Sequence, residues 1–165
     1  MTTELETQVA ELRHKREELI NSFLTGQNAP PVKAFEYFPI DEKWRMKGEV
    51  KIRKPKPGPV DFKIKYLKIG IINITIAGQP HKFALYQVEN ELENLYIFIK
   101  DGTSGKSTYG LGRFISVIKK GDEYFVDFNA AFTPACGYVE GAGCPFTMES
   151  TTAIIEAGEK APAYH

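Results

Sequence analysis

Between residues 44 and 156 the chain is a run of short apolar–polar alternations separated by turn residues, with no helical crossover among them. The segments 44–52, 62–66, 69–76, 82–88, 95–99, 113–118, 124–128 and 152–156 each carry a strand period, about eight strands in all. Parallel strands would need long, usually helical, connections. The pattern therefore predicts an antiparallel meander, and a mainly β (α+β) fold. A sheet of this kind protects its edges by closing into a barrel or folding into a sandwich, and a barrel-like sheet is expected. No repeat or composition break divides the chain, so residues 1–165 are read as one domain, a helix over 3–24 and a β-rich body over 34–160.

The helix is announced by Thr3 and Glu6, a capping box that satisfies free N–H groups of the first turn. Leu5, Val9, Leu12, Leu19, Ile20 and Phe23 recur at helical spacing, Glu11 and Lys15 make an i,i+4 pair, and Gly26 is a natural stop. Arg16 interrupts the apolar stripe. A stripe so short and broken by a charge favours docking on the protein's own sheet over a coiled coil.

Lysine plus arginine equals aspartate plus glutamate, 21 each, so no global field favours nucleic acid or an anionic membrane. Seven positive residues lie between 51 and 68, but Lys63 and Lys65 alternate with Phe62, Ile64 and Tyr66, the pattern of a strand's wet face, and 54–59 reads as an exposed loop. The polar, acidic N-terminus has no secretory character, and no apolar run is long enough to span a bilayer. With two cysteines there is no disulfide scaffold, and a cytoplasmic protein is expected.

The stretch 101–114, DGTSGKSTYGLGRF, looks at first like a phosphate loop. A Walker loop needs a glycine where this chain has Lys100, and a helix afterwards; a dinucleotide loop needs one where it has Ile115. The segment is read as a long connection between strands, with Gly110 and Gly112 allowing close approach of backbone or ligand. Beyond it, Lys119-Lys120-Gly121 is read as a three-residue hairpin loop with Gly121 at the positive-φ position. That register sets Arg113 opposite Asp127, with Asn129 on the same face. Such a cluster could hold a carboxylate or phosphate through the guanidinium fork, or be a salt bridge that fastens the loop.

Cys136 and Cys144 lie in the irregular stretch 131–151 and could pin it. Buried free thiols are the first expectation, a disulfide the second, metal or catalysis the third. His14, His81 and His165 are scattered, so no metal site is expected. No nucleophile elbow appears, and Glu91 and Glu93 lie in what reads as a solvated connection, so no catalytic residue is named.

Several motifs occur in register: Asp101, Thr103, Gly105, Thr108, Tyr109, Gly110, Gly112, Arg113 and Phe114; then Asp127, Phe128, Asn129, Ala131, Pro134 and Cys136; then Cys144-Pro145 and Ala157-Gly158-Glu159-Lys160. Together they resemble a bacterial and archaeal family, the domain of unknown function 1684, over about residues 12–160. The chain departs from that family after Pro145, where Phe146-Thr-Met-Glu149-Ser150 replaces a proline-rich stretch with Glu-Asn. The resemblance implies a shared fold and a shared site without an activity.

The function expected from the residues is a small-molecule or anion-binding domain, its pocket near the 101–114 loop and built from Tyr109, Gly110, Gly112, Arg113, Asp127 and Asn129. The ligand would be a small anion or carboxylate; no cofactor is named, and a homo-oligomer is left open. An enzyme holding a flavin in the same pocket, and a non-catalytic protein working through its N-terminal helix, are the alternatives.

Overall fold

The computed structural model describes residues 3–61, 64–139 and 144–162. A helix, α1 (Glu4–Gly26), precedes the strands β1 (Arg45–Asp61), β2 (Ile64–Ile76), β3 (Gln79–Val88), β4 (Glu91–Lys100), β5 (Arg113–Lys120) and β6 (Glu123–Phe132). Each strand pairs antiparallel with the next, and β6 pairs back onto β1, so the six close into a barrel. A two-residue strand, β7 (Glu149–Ser150), adds parallel to β4.

Strand alternation divides the apolar residues between two sides. Ile72, Ile74, Phe83, Ile97, Ile99, Ile115, Val117, Val126 and Phe128 fill the barrel, while their neighbours Phe98 and Phe114 point outward. A small barrel leaves little room inside, and at Gly48 a Cβ would stand 2.7 Å from Ile72 Cδ1. Ile155 and Ala157 plug one end. The stretch 152–156, expected as a strand, instead crosses this end as irregular chain, because its apolar side chains complete the core without a free edge to pair with.

The β1–β2 hairpin is longer than the barrel wall. Register shifts after Ile52 and Pro57 bend β1, and residues 54–59, expected as a loop, continue the strand. Beyond the bend the hairpin lies along the outer face of β4 and β5, where Tyr66 packs edge-on against Phe98, Phe114 and Phe146. Phe62 and Lys63, part of one expected strand, lie outside the described residues.

Thr3 caps α1, its Oγ1 accepting from Glu6 N–H at 3.1 Å. Ile20 and Leu24 pack on Ala135 and Tyr138, so the helix docks on its own barrel. Arg16, the interruption in the stripe, is part of this docking face, since its Nη2 donates to the Thr133 carbonyl at 2.8 Å.

The hairpin register corrects one expectation. Gly121 has positive φ, 61°, but it is the first of two turn residues, and Lys120 pairs with Glu123. A glycine at the first central position suits a tight two-residue turn, so a bulge loop is not needed. Ser116 then faces Asp127, and a bulge separates that pair from Ile115 opposite Ala131. Arg113 therefore does not face Asp127. It shares the inward side of Ile115, while Asp127, next to Val126 and Phe128, points outward.

Candidate functional site

The residues expected to form one cluster form two. On the inside, Arg113 is 1% exposed and its Nη2 meets Asp101 Oδ2 at 2.9 Å. The same guanidinium donates to the carbonyls of Ile155, Ala157 and Glu159, tying the C-terminal segment across the barrel end. Asp101 is held in turn: its Oδ1 accepts from Thr103 N–H at 2.6 Å and from Thr103 Oγ1 at 2.5 Å, with Thr108 Oγ1 2.8 Å from Thr103 Oγ1. Burial pulls the Arg113 pKa down and Asp101 opposes it. This is a knot that shapes the 101–114 loop. Gly112 belongs to the knot's backbone, with φ of 106° and a missing Cβ that would meet the Ile99 carbonyl at 2.9 Å. At Gly110 a Cβ would make only ordinary contact, 3.7 Å from Gly105 Cα.

On the outside, Arg45 Nε donates to Asp127 Oδ2 at 2.9 Å and its Nη1 to Gln8 Oε1 at 2.7 Å. The second Asp127 oxygen accepts from Asn129 N–H at 2.9 Å. Asn129 holds both backbone groups of Asp41, accepting from its N–H at 3.0 Å and donating to its carbonyl at 2.9 Å. Arg13 donates to the Asn129 carbonyl at 3.0 Å and stacks 4.2 Å above Tyr37. These groups lock α1 and the 37–45 segment to β6 where the bulge frees β6 from β5.

The cysteines also differ from the first expectation. Cys136 and Cys144 form a disulfide. Eight residues apart in sequence, they are brought within bonding range by the short helical turn Ala135–Tyr138. The Tyr109 hydroxyl lies 3.4 Å from Cys144 Sγ, so Tyr109 belongs to this pin. Among the described residues no group of three or more His, Cys, Asp or Glu could hold a metal. Nor is any described helix long and apolar enough to cross a membrane.

A cleft opens where none of the expected side chains stands. It measures about 530 Å³ and lies between the end of α1, residues 29–36 and residues 159–162. Leu24, Ala29, Val32, Phe35 and Pro162 make apolar walls, and Lys33, Glu36 and Lys160 also line it. Its floor is a buried pair: the Tyr138 hydroxyl donates to Glu159 Oε2, and Glu159 Oε1 accepts from Thr133 N–H at 2.9 Å. Glu159 is 2% exposed, and burial raises its pKa although Tyr138, Thr133, Arg16 and Arg113 all favour the carboxylate. Burial also raises the Tyr138 pKa, with the Glu159 charge adding to it. The 101–114 loop backs this cleft through Ser107, whose carbonyl accepts from Ala161 N–H at 3.0 Å. Sequence reasoning quoted Glu159 within a motif but did not make it a site. Its signal was an acid beside Gly158, whose φ of 76° and missing Cβ, 2.7 Å from the Phe128 carbonyl, press the segment onto β6.

By fold the molecule is a six-stranded meander barrel closed by a C-terminal plug and braced by one helix. The chain belongs to the family described as protein of unknown function (DUF1684), whose model matches residues 32–160. A solution NMR structure of an uncharacterized protein from Haloarcula marismortui is similar over 100% of both chains, with a TM-score of 0.72 and 23% identity, a likeness of fold. No curated protein matches the chain.

Proposed function

We propose that the protein binds a small molecule with an apolar body and an anionic end, in the cleft between α1 and residues 159–162. One observation carries this reading: a cleft of about 530 Å³ with apolar walls, a buried Tyr138–Glu159 pair, and Lys33 and Lys160 beside Glu36 in its lining. That combination of apolar lining and few convergent polar groups is the usual character of a ligand site. Lys33 and Lys160 would receive the anionic end, and Tyr138 with Glu159 would orient polar atoms at the inner end. The Arg113 and Asp127 clusters shape the surroundings, because their hydrogen-bonding groups are engaged within the protein.

The test uses anilinonaphthalene sulfonate, an apolar anionic dye, with octanoate as competitor. The folded chain should enhance the dye's fluorescence, and octanoate should displace it. Ala34→Trp fills the cleft from its exposed wall and should abolish the signal without lowering stability. Equal dye binding by parent and variant would sink the proposal.

A further inference from the structure

The helix α1 also borders a second opening, a groove of about 590 Å³ between it and strands β4 and β5. On the sheet side, Tyr96 of β4 stands directly opposite Ser116 of β5, and both line the groove. Side chains so paired lie about 5 Å apart at Cβ. Neither hydroxyl has a hydrogen-bond partner among the described residues. Neither is sealed away, since the sealed and unpartnered side-chain atoms there belong to Arg16, Arg45, Asp61 and Thr133. Ser116 is 6% exposed, so the little surface it keeps opens into the groove that it lines. Both groups are firmly placed. Ser116 sits in β5 beside the bulge of β6, and the Tyr96 ring packs against those of Tyr66 and Phe114, with centroids 6.4 and 5.9 Å away.

Two amides in the lining are half used, in opposite senses. Gln8 spends its carbonyl oxygen on Arg45 Nη1 at 2.7 Å, which leaves its NH2 to donate. Asn94 spends its NH2 on Glu91 Oε2 at 3.2 Å, which leaves its carbonyl oxygen to accept. The charges of the lining balance, Glu11 and Glu93 against Lys15 and Lys119. Glu11 and Lys15 are spaced to pair with each other on α1, yet they close no ion pair among the described residues. Leu12, Ile118 and Leu92, the last 78% exposed, give the same groove apolar surface.

We propose that this groove is a second binding site, for a neutral sugar. An anion would meet Glu11 and Glu93, and a cation Lys15 and Lys119, so a charged ligand loses on one side what it gains on the other. A wholly apolar ligand would strip water from two hydroxyls and two half-used amides and replace none of it. A sugar answers each group. Its hydroxyls donate to Asn94 Oδ1, accept from the Gln8 NH2 and do either with Tyr96 and Ser116, while its C–H face lies on Leu12, Leu92 and Ile118. The groove shares no lining residue with the cleft at Tyr138 and Glu159.

Saturation-transfer NMR on the full chain tests this, with glucose, galactose, mannose, N-acetylglucosamine, maltose and lactose at about 5 mM, a concentration suited to millimolar affinity. Glucuronate, glucosamine held in its ammonium form, and cyclohexanol serve as anionic, cationic and apolar controls. At least one neutral sugar should take up saturation, and none of the controls should. Tyr96→Phe and Ser116→Ala each delete a hydroxyl that has no partner in the folded chain, so neither variant should melt below the parent. Each should weaken sugar binding about three- to tenfold, the worth of one uncharged hydrogen bond, and the two together should abolish the signal. Leu92→Asp, at an exposed position that folding does not depend on, should abolish it too. Ala34→Trp, which fills the other cleft, should leave it unchanged. No uptake by any neutral sugar, equal uptake by a control, a signal kept by the double variant or by Leu92→Asp, or a signal lost in Ala34→Trp would each overturn the proposal.

Discussion

Arg113 makes a prediction at the level of one side chain. Its guanidinium meets Asp101 and the carbonyls of Ile155, Ala157 and Glu159 with almost no exposure. Lysine keeps the charge but cannot span so many acceptors from one planar fork. Arg113→Lys should therefore cost about 2–3 kcal/mol, the scale of hydrogen bonds to a buried charge. Denaturant unfolding measures it, and a loss below about 0.5 kcal/mol would mean that the knot is not what holds the plug. Dye binding in the cleft should persist in the folded fraction. The residue types of this knot were legible in the sequence, because Asp101, Thr103, Thr108 and Arg113 sit in one quoted block. Their partners were not. Pairing Arg113 with Asp127 required the register, and the observed shift of three residues, an odd number, puts the two on opposite faces.

At the level of elements, α1 and the meander were readable because their periods are local properties of the chain. The capping residue Thr3 and the alternation in β2 to β6 needed no knowledge of distant partners. The bulges in β1 and β6 were not readable, since they answer to what lies across the barrel: room for the hairpin on β4–β5, and for Asn129 to reach Asp41. The disulfide is of this second kind. The cysteine count supported a reducing compartment, and a bonded pair removes that support. Closing a loop of this length stabilises by about 2–3 kcal/mol in the chain-entropy account. Replacing both cysteines by alanine should lower Tm by about 5–10 °C. The unreduced parent should weigh two hydrogens less than the reduced chain, and equal masses would remove the pin. Because the turn that carries Cys136 also carries Tyr138, the double variant should also loosen the proposed cleft.

For the whole molecule, basic and acidic residues balance at 21 each, so near neutral pH no net repulsion masks what single buried groups do. Asp61, Glu149 and Glu159 all have pKa values raised by burial. A carboxyl raised in the fold binds its proton more tightly there than in the unfolded chain. Between the ordinary value and the raised one, the folded state holds more protons, so stability declines as pH rises through that interval. For Glu159 the decline begins near its ordinary value of 4.5 and ends above its folded pKa. Glu159→Gln cannot titrate. Subtracting its stability-against-pH curve from the parent's cancels every other group and should leave a slope that falls from about pH 4.5 upward and then levels. Urea unfolding at half-unit steps from pH 4.5 to 8 gives both curves. A flat difference would mean that Tyr138, Thr133 N–H, Arg16 and Arg113 outweigh burial and hold Glu159 at its unfolded value. A difference that rises with pH would mean that they lower it, making the cleft floor a stabilised carboxylate.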